Sequence, residues 1–157
     1  MAIPSFDTIH DIPLPTDAEL VPHLTRMLER AFRHQIWVML LDSESKPLPI
    51  VMPSHLDPEP DSDDIEGYAD LFRCHSYDFQ TATLVVTLER PGAARNTEND
   101  RRWLRFLREA LVETGCPFRG PYLLLGSRVR AVAPAEYSAA PFLEVDRDDG
   151  DEEYGFY

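Results

Sequence analysis

The chain has 157 residues and a formal net charge of −13 at pH 7, with 43% apolar and 27% charged residues. This length suits one domain with its own core, and the composition is typical of a globular protein. No apolar run approaches the ~20 residues that cross a bilayer. Residues 1–7 do not combine a basic and an apolar stretch, so no signal peptide is expected. The two cysteines fit a reducing cytoplasm, which is the expected location.

Two acidic segments carry the whole net charge. Residues 57–70 contribute −7 and residues 144–153 contribute −6, so the rest of the chain is neutral. A nucleic-acid binder needs a basic face that releases counterions from phosphate, so this balance argues against nucleic acids and against anionic membranes. The plainest interpretation is solvated loops. The alternative is a surface for a basic protein, with the candidate residues Asp61, Asp63, Asp64, Asp148, Asp149 and Asp151.

The first half of the chain predicts a helix followed by two strands. Residues 1–15 form an irregular leader with three prolines. A helix begins at Thr16, where Thr16 and Glu19 match a capping box. Its apolar stripe consists of Leu20, Val21, Leu24, Met27, Leu28, Ala31 and Phe32. A buried strand over 36–41 follows, then a weaker strand over 48–52 that its prolines confine to a sheet edge.

The second half predicts two more helices and three strands. After a loop over 55–61, a helix has its apolar face at Ile65, Tyr68, Ala69 and Phe72. A strand covers 82–88, a helix runs from Thr97 to a stop at Gly115, and strands cover 122–125 and 129–133. This order predicts one α/β domain over residues 1–143, with a mixed sheet flanked by three helices. Residues 144–157, here called the acidic tail, end in the candidate interaction residues Tyr154, Phe156 and Tyr157.

Several kinds of chemistry have no motif in this sequence. There is no phosphate-binding G-x-x-x-x-G-K or G-x-G-x-x-G, no G-x-S-x-G nucleophile turn and no H-E-x-x-H. Cys74 and Cys116 are interpreted as two buried or half-buried thiols, with a zinc site formed by Cys74, His75 and Cys116 as the alternative. No cofactor or metal is expected.

Basic residues share one face of the third predicted helix, with Arg101, Arg105 and Arg108 as candidate interaction residues. The simplest interpretation is a solvated face with pairs such as Glu98–Arg102 at i,i+4 spacing. Contact with a nucleic acid is one alternative. Docking of an acidic segment, including the chain's own acidic tail, is another.

The stretch from Thr87 to Asp100 joins a buried strand to an amphipathic helix through a Pro91-Gly92 turn and a Thr97-x-x-Asp100 helix start. Over roughly residues 33–137 this arrangement resembles the RadC-like branch of the JAB/MPN (JAMM) metalloprotease superfamily. In that family H-x-H-P follows the strand and S-x-x-D begins the helix. The two histidines and the aspartate hold zinc, an upstream glutamate is the general base, and the serine assists the oxyanion. The resemblance implies a JAB/MPN-like, cytidine-deaminase-like core.

The departures from that pattern determine the expected function. Leu88 and Arg90 stand at the two histidine positions, while Thr97 and Asp100 stand at the serine and aspartate positions. Catalytic zinc generally needs three protein ligands, and one remains. The resemblance therefore implies a degenerate, metal-free domain that acts as a protein-interaction or scaffold module. A protein partner is expected, and self-association is left open.

Arg90 and Asp100 are expected to pair across the former metal site, with their charged groups within about 6 Å of each other. Thr97 and Asp100 also fit a helix cap, which explains both residues without catalysis.

Two other functions remain open from the sequence. One is an enzyme with a rebuilt, metal-independent site formed by Glu89, Arg90 and Asp100, which a pocket of a few hundred Å³ containing all three would favour. The other is an acidic decoy that covers a basic protein surface, which requires the carboxylates of 57–70 and 144–153 to line one face.

Overall fold

The computed structural model describes residues 12–78, 83–92 and 95–138. Helix α1 spans Asp17–Leu28, α2 spans Ile65–Asp78 and α3 spans Glu98–Thr114. The strands are β1 (Gln35–Leu41), β2 (Pro47–His55), β3 (Thr83–Glu89), β4 (Phe118–Leu125) and β5 (Arg128–Ala131). The order of elements confirms the α/β prediction. Among the described residues, no helix is both long and apolar enough to cross a membrane.

The five strands form one sheet in the order β2-β1-β3-β4-β5. Only β3 and β4 are parallel, and the other neighbouring pairs are antiparallel, so the sheet is mixed as predicted. The parallel pair needs a crossover connection, and α3 supplies it. Helices α2 and α3 cover one face of the sheet and α1 covers the other, because the apolar residues of each strand alternate between two cores.

The larger core lies between the sheet and helices α2 and α3. Ile36, Val38 and Leu40 of β1 face this side, whereas Met39 and Leu41 face α1. Helix α3 shares this core with β3, as the sequence predicts, and its Trp103 packs edge-on against Phe106 with ring centroids 5.2 Å apart. Since both faces are covered, β1 and β3 are apolar almost throughout.

Helix α1 ends earlier than its apolar stripe predicts. It stops at Leu28, Glu29 takes a positive φ of 63°, and Phe32 lies beyond the helix with 63% of its surface exposed. The Ala31 amide donates to the Gly126 carbonyl at 2.6 Å instead of continuing the helix. Partners far along the chain therefore override the helical pattern of residues 29–32.

At the start of α1, half of the predicted capping box forms. The Glu19 carboxylate accepts a hydrogen bond from the Thr16 amide at 3.2 Å, as expected. The Thr16 hydroxyl donates to the same carboxylate at 2.9 Å, and the Glu19 amide donates to the Thr16 carbonyl at 3.1 Å and not to the hydroxyl. The leader is anchored just before this point, because Leu14 is buried and its amide donates to the Ser45 carbonyl at 2.9 Å.

The edge strands also differ from prediction in length. Strand β2 is the predicted edge strand but extends to His55, because it pairs with β1 over nearly the whole length of that strand. Strand β5 begins at Arg128 and ends at Ala131, two residues earlier than predicted. Residues 1–11 of the leader and the acidic tail lie outside the described residues.

Two glycines provide a matched test of this fold. Gly120 in β4 has a φ of +101°, and a Cβ there would lie 2.7 Å from the Val86 carbonyl oxygen. Gly120→Ala should lower the free energy of unfolding by about 1–3 kcal/mol, the scale of backbone strain. Gly67 in α2 has open space around it, so Gly67→Ala should raise stability by about 0.5–1 kcal/mol. Urea unfolding midpoints measure both, and a Gly120→Ala protein as stable as the parent would show that this close approach of β3 and β4 is not a constraint.

Candidate functional site

A bidentate ion pair joins the end of β3 to the first turn of α3. Arg90 Nε lies 2.9 Å from Asp100 Oδ1, and Arg90 Nη2 lies 2.6 Å from Asp100 Oδ2. The Asp100 side chain is 3% exposed and that of Arg90 is 16% exposed. The pair predicted from the sequence is therefore present, in the two-point geometry that makes Arg–carboxylate contacts strong.

Both partners of this pair have further hydrogen bonds to the protein. Arg90 Nη1 donates to the Pro91 carbonyl at 3.0 Å, and Nη2 donates to the Arg95 carbonyl at 2.5 Å. Asp100 Oδ2 accepts from the Thr97 amide at 2.9 Å, while the Thr97 hydroxyl accepts from the Asp100 amide at 3.1 Å. The predicted helix cap is thus confirmed, and the ion pair braces the loop that leads into α3.

A cavity of about 490 Å³ opens beside this pair. It lies at the end of the sheet where β1 begins and β2 and β3 end, next to the N-terminus of α3. Three of the four residues aligned with the family's metal site reach it, namely Arg90, Thr97 and Asp100. The fourth, Leu88, is fully buried in the core between the sheet and α3. The other lining residues are His34, His55, Leu56, Pro58, Pro91 and Asn99.

Two histidines in this cavity were not predicted as site residues. His34 immediately precedes β1 and His55 ends β2, and the antiparallel pairing of these strands brings them together. Burial lowers the pKa of His34, and the Asp100 charge opposes that shift only in part. Its ring packs edge-on against Trp103 with centroids 5.7 Å apart. The 21-residue separation of the two histidines matches no motif, so no local pattern signals that they meet.

The described residues do not assemble a metal site. In that part of the chain, no group of three or more His, Cys, Asp and Glu side chains is arranged to hold an ion. The alternative zinc site of Cys74, His75 and Cys116 is therefore not assembled. Cys74 is exposed on α2, so the prediction of a buried or half-buried thiol is wrong there, whereas Cys116 is half-buried after α3 as predicted.

Glu89 lies on the opposite face of the sheet from Arg90, because successive residues of a strand point to opposite sides. Glu89 is 1% exposed, and its carboxylate accepts four hydrogen bonds of 2.7–2.9 Å. The donors are the amides of Phe32 and Arg33 and the side chains of Gln35 and Trp37. The cavity that contains Arg90 and Asp100 does not include Glu89. The observation that would favour a rebuilt catalytic site is thus not met.

The basic face of α3 is largely neutralised within the helix. Arg101 pairs with Glu98 at 2.7 Å, in place of the expected Glu98–Arg102 pair. Arg105 pairs with Glu109 at 3.0 Å, and the Arg108 guanidinium lies 5.8 Å from the centre of the Phe118 ring. This arrangement favours the solvated-face interpretation of the three candidate arginines.

The candidate acidic residues divide between described and undescribed parts of the chain. Asp61, Asp63 and Asp64 are exposed in and before a short 3-10 turn, where the Asp61 carboxylate accepts from the Asp63 amide at 3.0 Å. The others lie outside the described residues: Asp148, Asp149, Asp151, Tyr154, Phe156 and Tyr157. The common acidic face that a decoy requires therefore stays a prediction.

A comparison with known proteins finds no match for this chain. No protein-family model matches it, and neither a curated protein nor a solved structure matches it. The resemblance to the RadC-like branch therefore stays a prediction that rests on the residues quoted above.

Removal of Arg90 tests the importance of the ion pair. Arg90→Ala leaves the buried Asp100 carboxylate without its counter-charge, which should lower the free energy of unfolding by about 3–5 kcal/mol. Arg101→Ala is the matched control, because its pair with Glu98 is exposed and should contribute less than about 1 kcal/mol. Urea unfolding followed by tryptophan fluorescence measures both. Equal losses in the free energy of unfolding for the two variants would show that the Arg90–Asp100 pair contributes no more to stability than an exposed pair.

Glu89 should make stability depend on pH. Burial on its own raises the pKa of Glu89, but the hydrogen bonds from Gln35, Phe32, Trp37 and Arg33 outweigh it, so the pKa lies below its ordinary value of 4.5. A carboxyl whose pKa is lower in the folded state stabilises the fold above its unfolded pKa and loses that effect as the pH falls.

We therefore expect Glu89→Gln to lower stability at pH 7 by about 2–4 kcal/mol, the scale of one or two hydrogen bonds to a charged group. The difference from the parent should shrink as the pH falls below 4.5, the ordinary value for this carboxyl. Glu44→Gln is the control, since that side chain is 69% exposed. A difference that is constant from pH 7 to pH 3 would contradict the assignment of a buried, ionised Glu89.

Proposed function

We propose that this chain is a non-catalytic, metal-free domain related to the RadC-like branch of the JAB/MPN superfamily, and that it acts as a protein-interaction or scaffold module. One observation carries the proposal. The Arg90–Asp100 ion pair occupies the place where the resemblance aligns the family's second histidine and its aspartate.

The charge of Arg90 supports the metal-free part of the proposal. A guanidinium stays protonated at any physiological pH, and here it lies 2.6 Å from the carboxylate that the resemblance assigns as a metal ligand. A divalent cation at Asp100 would have to displace that guanidinium and overcome its repulsion. Leu88, at the other aligned histidine position, has no metal-binding atom. The negative charge of Asp100 is thus balanced within the protein.

The hydrogen bonds around the site support the non-catalytic part. Arg90 donates to Asp100 and to two loop carbonyls, and Asp100 accepts from Arg90 and from the helix cap. On the other face, Glu89 accepts four hydrogen bonds from the protein. Charged groups that are satisfied in this way hold the backbone in place, which suits a rigid platform for a partner.

Zinc binding tests the proposal directly. The purified chain, incubated with excess zinc and desalted, should retain far less than one zinc per chain by elemental analysis. Leu88→His/Arg90→His is the matched variant, because it restores the family's pair of histidines beside Asp100. If the correspondence is right, this variant gains zinc binding and is stabilised by about 2.7 kcal/mol at a zinc concentration of 100 Kd.

Stoichiometric zinc in the unaltered chain would contradict a metal-free domain. A double variant that folds and still takes up no zinc would contradict the correspondence with the metal site. The interaction part has its own measurement, which is co-purification from the native cell after cross-linking. A chain that is recovered alone there, and that is monomeric by light scattering, would argue against a scaffold.

A further inference from the structure

A cluster of arginines that no sequence motif singles out lies at the end of the α1 helix. The loop after α1 packs on the β4–β5 turn, where the Ala31 amide donates to the Gly126 carbonyl at 2.6 Å. Near the end of α1, the Thr25 hydroxyl accepts from the Val129 amide at 3.1 Å. These two hydrogen bonds bring the segment that contains Arg26 and Arg30 against the hairpin that contains Arg128.

These arginines differ from most others in the described part of the chain. Within residues 12–78, 83–92 and 95–138, no ion pair is formed by Arg95, by Arg108 or by four further arginines, here called the arginine patch: Arg26, Arg30, Arg33 and Arg128. By contrast, each of the following pairs with a carboxylate: Arg73, Arg90, Arg101, Arg105, Arg119 and Arg130. Three of the four patch side chains are exposed and Arg26 is half-buried. The patch therefore carries four positive charges that form no ion pair, while one exposed carboxylate, that of Glu29, lies in the same segment.

An exposed aromatic ring lies within the same loop. Phe32 is 63% exposed, and the Arg33 guanidinium is 5.1 Å from the centre of its ring. The amides of both residues donate to the buried Glu89 carboxylate at 2.7 and 2.9 Å, so the backbone that carries them is fixed. A rigid backbone reduces the entropy lost on binding. The loop thus combines fixed positive charge with an apolar contact.

We propose that the arginine patch is the docking site for the chain's own acidic tail, residues 144–157. The tail carries a net charge of −6 and contains Tyr154, Phe156 and Tyr157, which complement the positive patch and Phe32. This proposal does not depend on the metal-free assignment, since none of the four patch residues lines the cavity beside Arg90 and Asp100.

The other acidic segment is less suited to this site within one molecule. Residues 57–70 form a loop, the 3-10 turn at Ser62–Asp64 and the first turns of α2. Asp70 in this segment already pairs with Arg73. The acidic tail follows the described residues, which end at Ser138. Ten extended residues span up to about 35 Å, comparable with the width of a domain of this size. The tail can therefore reach the patch in the same molecule.

Paramagnetic broadening in the full chain tests this docking. A nitroxide is attached at residue 150 of the Cys74→Ser/Cys116→Ser/Gly150→Cys variant, and amide signals are recorded at about 20 mM and about 500 mM salt, on either side of the range where screening sets in. We expect strong broadening at Arg30, Phe32, Ser127 and Arg128 in low salt. Its loss is expected in high salt, because screening shortens the range of charge attraction.

Two charge-reversed variants make the test specific. Arg30→Glu/Arg33→Glu should abolish the broadening, whereas Arg101→Glu/Arg105→Glu should leave it unchanged. A mixture of labelled and isotope-enriched chains distinguishes docking within one molecule from docking between two. Broadening that falls on α3 around Arg105–Val112, that occurs only between molecules, or that is absent would each overturn the proposal.

Discussion

The bidentate ion pair between Arg90 and Asp100 is the constraint on which the junction of β3 and α3 depends. It connects the residue that follows β3 to the first turn of α3, and it also holds the intervening loop through the Arg95 carbonyl. Because Asp100 is also part of the helix cap, the same carboxylate fixes where α3 begins. Arg90, Thr97 and Asp100 also line the neighbouring cavity, so this junction forms part of its wall.

The adjacent residues Glu89 and Arg90 at the end of β3 carry opposite charges and lie on opposite faces of the sheet. Arg90 meets Asp100 on the side of α3, and Glu89 anchors the α1–β1 loop on the other side. Glu89 is a buried anion without a cationic partner among its four hydrogen-bond donors, so directed N–H groups supply its stabilisation. One strand end therefore organises a loop on each face, which explains why charged residues are tolerated next to a strongly apolar strand.

Within the described part of the chain, folding pairs some arginines with carboxylates and leaves others without an ion pair. Two of the arginines that share a face of α3 pair with glutamates on their own helix. By contrast, no ion pair forms in the described structure at Arg26 on α1, at Arg30 and Arg33 in the following loop, or at Arg128 at the start of β5. A chain that is acidic overall thus exposes a local basic surface. The proposed docking of the acidic tail depends on this surface, whereas the proposed metal-free function depends on the Arg90–Asp100 pair.

The sequence alone determined the order of helices and strands, the mixed sheet and the Arg90–Asp100 pair. Hydrophobic periodicity and helix caps are local signals, and Arg90 and Asp100 are only ten residues apart. The end of α1, the donors to Glu89, the meeting of His34 with His55 and the arginine patch were decided by tertiary structure. Each depends on strand pairing or on contacts between distant residues, such as the 54-residue separation of Gln35 from Glu89 and the 104-residue separation of Thr25 from Val129. Local patterns carry no information about such partners, because packing across the sheet selects them.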